Sequence, residues 1–183
     1  LVLEAGRLDS HAWQLQHRKN ASIPYLDTYE NQTPGKPWVY NPGFGGSSNC
    51  WWACTPRMLP ADFELKSRYG IGRDWPIDYD ELEEYYCDAE ELMSVSGPSN
   101  DSPFPRSRPY PQPPHNLTDP DKLLKKGHPK HFFVQPTARA RVATKRRGPC
   151  CSTATCRLCP INAKFTIQNE MAHLFKDSRV TLE

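Results

Sequence analysis

The sequence predicts an α/β fold that is cut at both ends. Three apolar residues, Leu1 to Leu3, open the chain as the inside of a buried strand would, and a second strand-like run closes it at 179–183. Between the two runs lies one clear amphipathic helix, which follows Asp78. Helices that alternate with strands are typical of α/β proteins. We therefore expect neighbouring strands before the first residue and after the last.

The first predicted region, 1–97, joins the opening strand to the helix through a polar connection. A short helix is predicted at 62–66, and Gly70 is expected to end it. The main helix has a capping box, because Glu81 stands three residues after Asp78. Its spacing predicts one buried apolar face, which consists of Leu82, Tyr85, Tyr86, Ala89, Leu92 and Met93.

The second predicted region, 98–147, begins with seven prolines between positions 98 and 114. So many prolines exclude a helix or the interior of a sheet, and the aromatic residues Phe104 and Tyr110 favour a strap over the core. A helix at 119–126 and a strand at 131–136 are expected next.

The third predicted region, 148–183, contains four closely spaced cysteines, a helix over 161–175 and the closing strand. The helix is predicted from the spacing of its apolar residues. Together the three regions account for the whole sequence of 183 residues.

Composition excludes several classes of partner. The net charge is +2, which gives no electrostatic reason for a nucleic-acid partner. The basic run at 139–147 has no aromatic platform for stacking bases and is interpreted as a solvated loop. No apolar run approaches the ~18 residues that would suggest a transmembrane segment. The seven cysteines are an odd number, so they cannot all pair in disulfides.

A glycine–serine turn is the first candidate site. It consists of Gly45, Gly46, Ser47 and Ser48, followed by Asn49, Cys50 and Trp51. Glycines without a Cβ let main-chain N–H groups approach a pyrophosphate or a flat ring. The alternative is a plain turn before a helix. The tryptophan pair that follows favours a ligand, because exposed indoles require a flat partner or a core.

Glu4 is the second candidate, at the end of the opening strand. In doubly wound folds an acidic residue in this position hydrogen-bonds the ribose of an adenine dinucleotide. The alternative is an ordinary glutamate at a strand end. The glycine-rich turn that would precede the strand falls outside this sequence.

The third candidate is a set of four cysteines within ten residues, namely Cys150, Cys151, Cys156 and Cys159. Iron–sulfur sites accept such tight spacing, often with a proline after the last cysteine, as at Pro160. Zinc is usually held by two separated pairs. Structural thiols or a disulfide are the third interpretation, and all three stay open.

The joint pattern resembles the glucose–methanol–choline oxidoreductases, and most closely the branch of the pyranose oxidases and the bacterial gluconate, fructose and glucose dehydrogenase large subunits. The resemblance rests on five segments that occur in order, Leu3–Gly6, Gly45–Trp51, Pro56–Pro60, Asp74–Ile77 and Leu82–Tyr86. It covers most of the chain.

The resemblance implies a bound FAD, a sugar or other alcohol as donor, and hydride transfer to flavin N5. By it, Glu4 binds the FAD ribose and the residues from Gly45 to Trp51 lie along the isoalloxazine. Residues 1–97 become part of the doubly wound, Rossmann-like FAD domain, and 98–147 part of the substrate domain. The chain then returns to the FAD domain over 148–183. No catalytic residue is assigned within the chain, because the family's catalytic histidine is expected beyond Glu183.

The sequence departs from the family at Cys50, where pyranose oxidases carry a histidine bonded to the flavin. A thiolate can form a thioether to the flavin 8α-methyl, so a covalent link is chemically open. The alternative is a small, half-buried cysteine beside a noncovalent flavin, and this is the interpretation we favour.

The cysteine set resembles an iron–sulfur site of the bacterial sugar dehydrogenases, which implies Cys150, Cys156 and Cys159 as ligands, with Cys151 as a further candidate. Here two residues separate the last two cysteines, where the family has three. The resemblance also implies a cytochrome or quinone as electron acceptor and allows a periplasmic location. The residues themselves leave the compartment open.

Overall fold

The computed structural model describes residues 4, 6–24, 29–33, 35–36 and 40–181. Within them the α-helices are His11–His17 (α1), Leu65–Tyr69 (α2), Tyr79–Met93 (α3), Asp119–Gly127 (α4) and Ile167–Glu170 (α5). The 3₁₀ helices in the same residues are Gly46–Asn49, Pro60–Phe63 and Leu174–Lys176. Pairing between extended segments there is limited to isolated β-bridges. The α/β class stays a prediction, and the run 1–3 lies outside the described residues.

The chain divides into two units. The first comprises 1–53 and 143–183, and the second comprises 54–142. The predicted regions, with boundaries at 97 and 147, stay predictions. Across the described part of the chain, no helix is both long enough and apolar enough to span a bilayer.

Helix α3 organises the second unit, and its capping box is confirmed. The Asp78 side chain accepts a hydrogen bond from the Glu81 N–H, and the Glu81 side chain accepts one from the Asp78 N–H. The predicted buried face is wrong, because Tyr85 is 68% exposed and Leu92 59% exposed. The residues that α3 buries are Tyr79, Cys87 and Glu90.

Arg57 explains why α3 buries this polar face. Its guanidinium makes two hydrogen bonds to Glu90, of 2.8 and 2.9 Å, and one of 2.9 Å to Glu83. It also donates to the Tyr79 hydroxyl at 3.2 Å and to the Cys87 sulfur at 3.0 Å. Burying a charge is costly unless the charge is paired and hydrogen-bonded. The carboxylates of α3 therefore turn inward, and apolar residues on the other side of the helix stay outside.

The proline-rich segment is the predicted strap. Phe104 and Tyr110 are both 6% exposed, and the Arg106 guanidinium stacks over the Tyr110 ring at 3.5 Å. Gln112 of the strap forms an isolated bridge to Ser96, and Ser96 forms a second bridge to Thr137.

The segments after the strap are partly as predicted. Helix α4 is confirmed, with a capping box between Thr118 and Asp121, and it extends through Gly127. The strand predicted at 131–136 is absent from the structure. At its end the Pro136 carbonyl accepts from the Thr55 N–H at 3.0 Å, and the next residue, Thr137, forms single bridges to Cys54 and Ser96.

The first unit contains the glycine–serine turn and the cysteines. Its core includes Phe44, whose ring packs edge-on against Phe175 with centroids 5.0 Å apart. The long helix predicted over 161–175 is wrong, because α5 begins only at Ile167, where Thr166 caps it. The closing strand is also absent from Arg179 to Thr181, and the last two residues lie outside the described part.

Candidate functional site

The glycine–serine turn has the backbone geometry that requires glycine. Gly45 and Gly46 have φ values of +88° and +57°, a region that glycine enters without strain. A Cβ on Gly45 would approach the Ile167 side chain to 3.3 Å, whereas one on Gly46 would meet no atom within 4 Å. The turn is therefore closed on the Gly45 side and open at Gly46, where a ligand has room to approach.

Two of the predicted ligand-contacting side chains hold the turn together. The Ser48 hydroxyl donates to the Gly45 carbonyl at 2.6 Å and accepts from the Ile167 N–H at 3.2 Å. The Asn49 side chain is buried and donates to the Phe44 carbonyl at 2.8 Å. What remains accessible is the main chain at Gly46 and the side chains of Ser47 and Cys50.

Trp51 anchors the end of the turn. Its indole N–H donates to the Phe165 carbonyl at 2.8 Å, and the two rings meet edge-on with centroids 6.4 Å apart. Trp52, the next residue, is 55% exposed. Of the tryptophan pair, Trp51 is thus committed to packing within the first unit, while Trp52 presents a ring at the surface.

Cys50 is half-buried beside a large cavity. The cavity has a volume of about 540 Å³, a size in the usual range for small-molecule sites. Arg18, Lys19 and Arg157 contribute positive charge to its lining, and Tyr40 contributes a ring. This composition suits a ligand that combines a flat group with a negatively charged one.

Lys164 connects the turn to the cysteine segment. It is 3% exposed, and its ammonium donates to the carbonyls of Asn49 at 2.7 Å and Trp51 at 3.0 Å. It also donates to the carbonyls of Cys156 at 2.7 Å and Arg157 at 3.3 Å. One buried cation therefore joins two stretches of main chain that are far apart in sequence.

Burial lowers the pKa of Lys164 to about 8, because an ammonium loses its hydration in the interior. The sulfurs of Cys159, Cys50 and Cys156 act in the opposite direction, since negative charge on them would favour the ammonium. The cation is thus surrounded by carbonyl dipoles and lies near three thiols.

Asn20 makes a second, uncharged connection between the same segments. Its side-chain amide donates to the Asn49 carbonyl at 3.1 Å and to the Arg157 carbonyl at 3.0 Å. The Asn49 carbonyl therefore accepts from both Asn20 and Lys164, and the turn is fixed from two directions.

The four clustered cysteines do not act as one group in this structure. Cys156 is buried and Cys150 and Cys159 are half-buried, whereas Cys151 is exposed. Across the described residues, no three His, Cys, Asp or Glu side chains come close enough to hold a metal ion together. The present arrangement of residues 150–159 therefore does not fit a metal or iron–sulfur site, and the ligand set stays a prediction.

Individual cysteines have local partners. The Cys159 sulfur accepts from the Ala163 N–H at 3.2 Å, and the Cys150 sulfur accepts from the Ser152 N–H at 3.5 Å. A hydrogen bond with Thr153 lowers the pKa of Cys151. Cys50, Cys87, Cys150, Cys151 and Cys159 are free thiols.

Glu4 is exposed, and its carboxylate accepts a hydrogen bond of 2.7 Å from the Gly6 N–H. It closes a turn with this bond. Its predicted role on a ribose stays a prediction.

Sequence reasoning missed Lys164 and Asn20. Both act through main-chain carbonyls, and no side-chain motif marks a carbonyl as an acceptor. The available signal was a lone lysine inside an otherwise uncharged run, 158–169, which contains two of the apolar residues of the predicted helix, Phe165 and Ile167.

Comparison with known proteins gives two dehydrogenases. Over 130 residues the chain is 37% identical to the fructose dehydrogenase large subunit of Gluconobacter japonicus, which corresponds to 67% of this chain and 24% of that protein. Over 71 residues it is 34% identical to 2-methyl-1,2-propanediol dehydrogenase of Mycolicibacterium austroafricanum, 38% of this chain and 13% of that protein. No family model matches. The chain thus spans a quarter or less of these relatives, and the predicted resemblance to dehydrogenases is confirmed at this level.

Proposed function

We propose that this chain contributes to an FAD-dependent oxidoreductase of the glucose–methanol–choline type that acts on the CH–OH group of a sugar or another alcohol. The observation that carries the proposal is the similarity over two thirds of the chain to a dehydrogenase named for fructose. A second relative is named for a diol. Both names describe the oxidation of an alcohol.

The geometry of the turn supports the cofactor. Gly46 offers main chain with open space where a Cβ would stand, and the 540 Å³ cavity beside Cys50 carries positive charge for an anionic group. Bound FAD would accept a hydride from the alcohol carbon. The residues of this chain would bind and orient the FAD, through the main chain at Gly46 and the cavity at Cys50.

For Cys50 we propose noncovalent contact. Its thiol donates a weak hydrogen bond to the Ser47 carbonyl, with 3.7 Å between sulfur and oxygen, and this bond turns it back onto the loop. Acid precipitation of the whole flavoprotein should therefore release the flavin to the supernatant. Flavin that stays with the precipitated protein would establish the thioether instead.

An iron–sulfur cluster remains part of the proposal on the cysteine spacing alone. Because the four thiols do not converge in this structure, we derive no electron-transfer step through them. The expected outcome is iron and inorganic sulfide in the whole protein, lost on Cys156→Ser. Stoichiometric zinc, or no metal after anaerobic purification, would exclude the cluster.

The decisive experiment is the absorbance of the whole protein before and after anaerobic addition of fructose, 2-methyl-1,2-propanediol and a panel of simple sugars. We expect a flavin spectrum that bleaches with at least one of these alcohols. A protein without flavin but with iron–sulfur absorption would favour an electron-transfer module, and a colourless protein would favour a flavin-free structural homologue.

A further inference from the structure

Lys164 links two segments of main chain that are distant in sequence. The two segments that it links, 49–51 and 156–157, lie more than a hundred residues apart in the sequence. An ammonium has three N–H donors, and the three shortest bonds, to Asn49, Cys156 and Trp51, use all of them. The carbonyl of Arg157 at 3.3 Å completes the cage.

A charge is an expensive way to satisfy carbonyl groups. Removing an ammonium from water is costly even after relaxation. A neutral side-chain amide can donate to two carbonyls without this cost. Asn20 shows this within the same site, because its side chain bridges Asn49 and Arg157 without charge. The positive charge at Lys164 therefore does something that a neutral bridge does not.

The surroundings of the ammonium indicate what that is. It donates to the carbonyls of Asn49 and Trp51, the two residues that flank Cys50 in the turn, and it interacts electrostatically with the thiols of Cys159, Cys50 and Cys156. Cys50 belongs to the turn, and the other two belong to the cysteine segment. Lys164 also lines a second cavity of about 270 Å³, together with Asn49 and Cys159. It thus places a fixed positive charge where the two segments meet.

We propose that Lys164 is a positioning residue of the flavin site, which fixes the main chain of the turn at 49–51 against the cysteine segment and holds a positive charge behind Cys50. The inference rests on the proposed function, which places the flavin on this turn. Lys164 acts through the loop and contacts neither flavin nor substrate in this role. A positive charge near a flavin favours its reduced, anionic form, so we expect the charge to raise the flavin reduction potential.

The test uses the whole holoprotein and the substitution Lys164→Met, which keeps the length of the side chain and removes the ammonium. The matched control is Lys145→Met, at an exposed lysine of the same unit. Amide hydrogen exchange measures the opening of the two segments, and titration with a reference dye measures the flavin reduction potential.

We expect exchange to become about tenfold faster at 49–51 and at 156–157 together, because both segments lose a charge-assisted hydrogen bond. The flavin potential should fall. Lys145→Met should change neither the exchange nor the potential. Unchanged exchange in the two segments, or unchanged flavin potential, would overturn the positioning role.

Asn20→Ala keeps the inference testable if Lys164→Met does not fold. It removes only the neutral bridge, so exchange should accelerate in the same two segments while the flavin potential stays constant. A fall of the flavin potential in Asn20→Ala would contradict the assignment of the effect on the potential to the charge of Lys164. A wild-type protein without flavin would refute the proposed function, whereas a flavoprotein that ignores Lys164→Met would refute only this inference.

Discussion

Arg57 and Lys164 are both almost fully buried, but the groups that surround them differ in kind. In the second unit, Arg57 is paired with the carboxylates of Glu90 and Glu83, at 2.8 and 2.9 Å. In the first unit, the direct partners of Lys164 among the described residues are main-chain carbonyls. One charge is neutralised by opposite charge, and the other is held by dipoles.

The pKa values reflect this difference. Burial alone would lower the pKa of Arg57, but its hydrogen bonds to Glu90, Tyr79 and Glu83 outweigh burial and raise the pKa above the ordinary value. Burial lowers the pKa of Lys164, with only the nearby thiols opposing it. A paired cation of the first kind stabilises packing between side chains. An unpaired cation of the second kind fixes the main chain and keeps its charge available to its surroundings.

The largest effect on stability is expected for Arg57→Met. The substitution removes both hydrogen bonds of Arg57 from the Glu90 carboxylate, whose side chain is 5% exposed and which keeps its ion pair with Arg106 at 2.7 Å. Breaking a buried pair costs about 3–5 kcal/mol, and because Arg106 remains we expect about 3 kcal/mol, measured as the fall in unfolding free energy by denaturant titration. The matched control is Arg68→Met, because the Arg68–Glu64 pair is half exposed and an exposed ion pair contributes little to stability. Equal losses in the two variants would contradict the role of Arg57.

A smaller loss is expected for Lys164→Met. The substitution removes a donor from four carbonyls, two of which keep Asn20, and leaves no unpaired charge, so we expect a fall of about 1–3 kcal/mol. Because bound flavin would add its own stabilisation, the titration should use flavin-free protein. A loss larger than that of Arg57→Met would mean that the carbonyl cage is the stronger of the two arrangements.

The smallest effect is a dependence on pH at Glu83. Partial burial opposes its ionisation, but hydrogen bonds from Ser107 and Arg57 outweigh burial and lower its pKa to about 2. A carboxylate with a lowered pKa stabilises the fold at neutral pH, and this contribution is lost as pH falls from about 4.5 towards 2. Glu83→Gln should therefore flatten the decline of unfolding free energy in that window. If Glu83→Gln leaves the decline of unfolding free energy with falling pH unchanged, the pairing of Glu83 with Arg57 does not contribute to that decline.

The capping residues made some elements predictable from sequence. Asp78 and Glu81 placed the start of α3, and Gly70, with φ +72°, ended α2 as predicted. The strap was also predicted, since Phe104 and Tyr110 had to be buried among prolines that exclude regular structure. These signals are local, and each depends on side chains within a few residues.

Two of the errors have a distant cause. The wrong face of α3 was chosen because periodicity follows apolar residues, whereas Arg57 draws Glu90 and the Cys87 sulfur inward from 33 and 30 residues away. The helix over 161–175 was predicted too long because Lys164 is held by carbonyls that include those of Asn49 and Trp51, 115 and 113 residues away, and Thr166 begins α5 only after it. No local pattern contains these distant partners.

The candidate site was also predictable only where its signals are local. The glycine turn follows from its residues, and its positive φ values agree with the need for glycine at positions 45 and 46. The connection through Lys164 and Asn20 did not follow, because their acceptors are backbone carbonyls that every residue possesses.

The central claim, that flavin binds on the turn at Gly46, is tested most directly by comparing Gly46→Val with Gly70→Val in the whole protein. Both glycines have positive φ, +57° and +72°, and a Cβ on either would meet no protein atom within 4 Å. The two substitutions therefore impose comparable backbone strain, and only the first fills space proposed for the cofactor. We predict that Gly46→Val loses FAD, measured as flavin per folded protein, while Gly70→Val keeps the wild-type content. Normal flavin content in folded Gly46→Val protein would contradict the account.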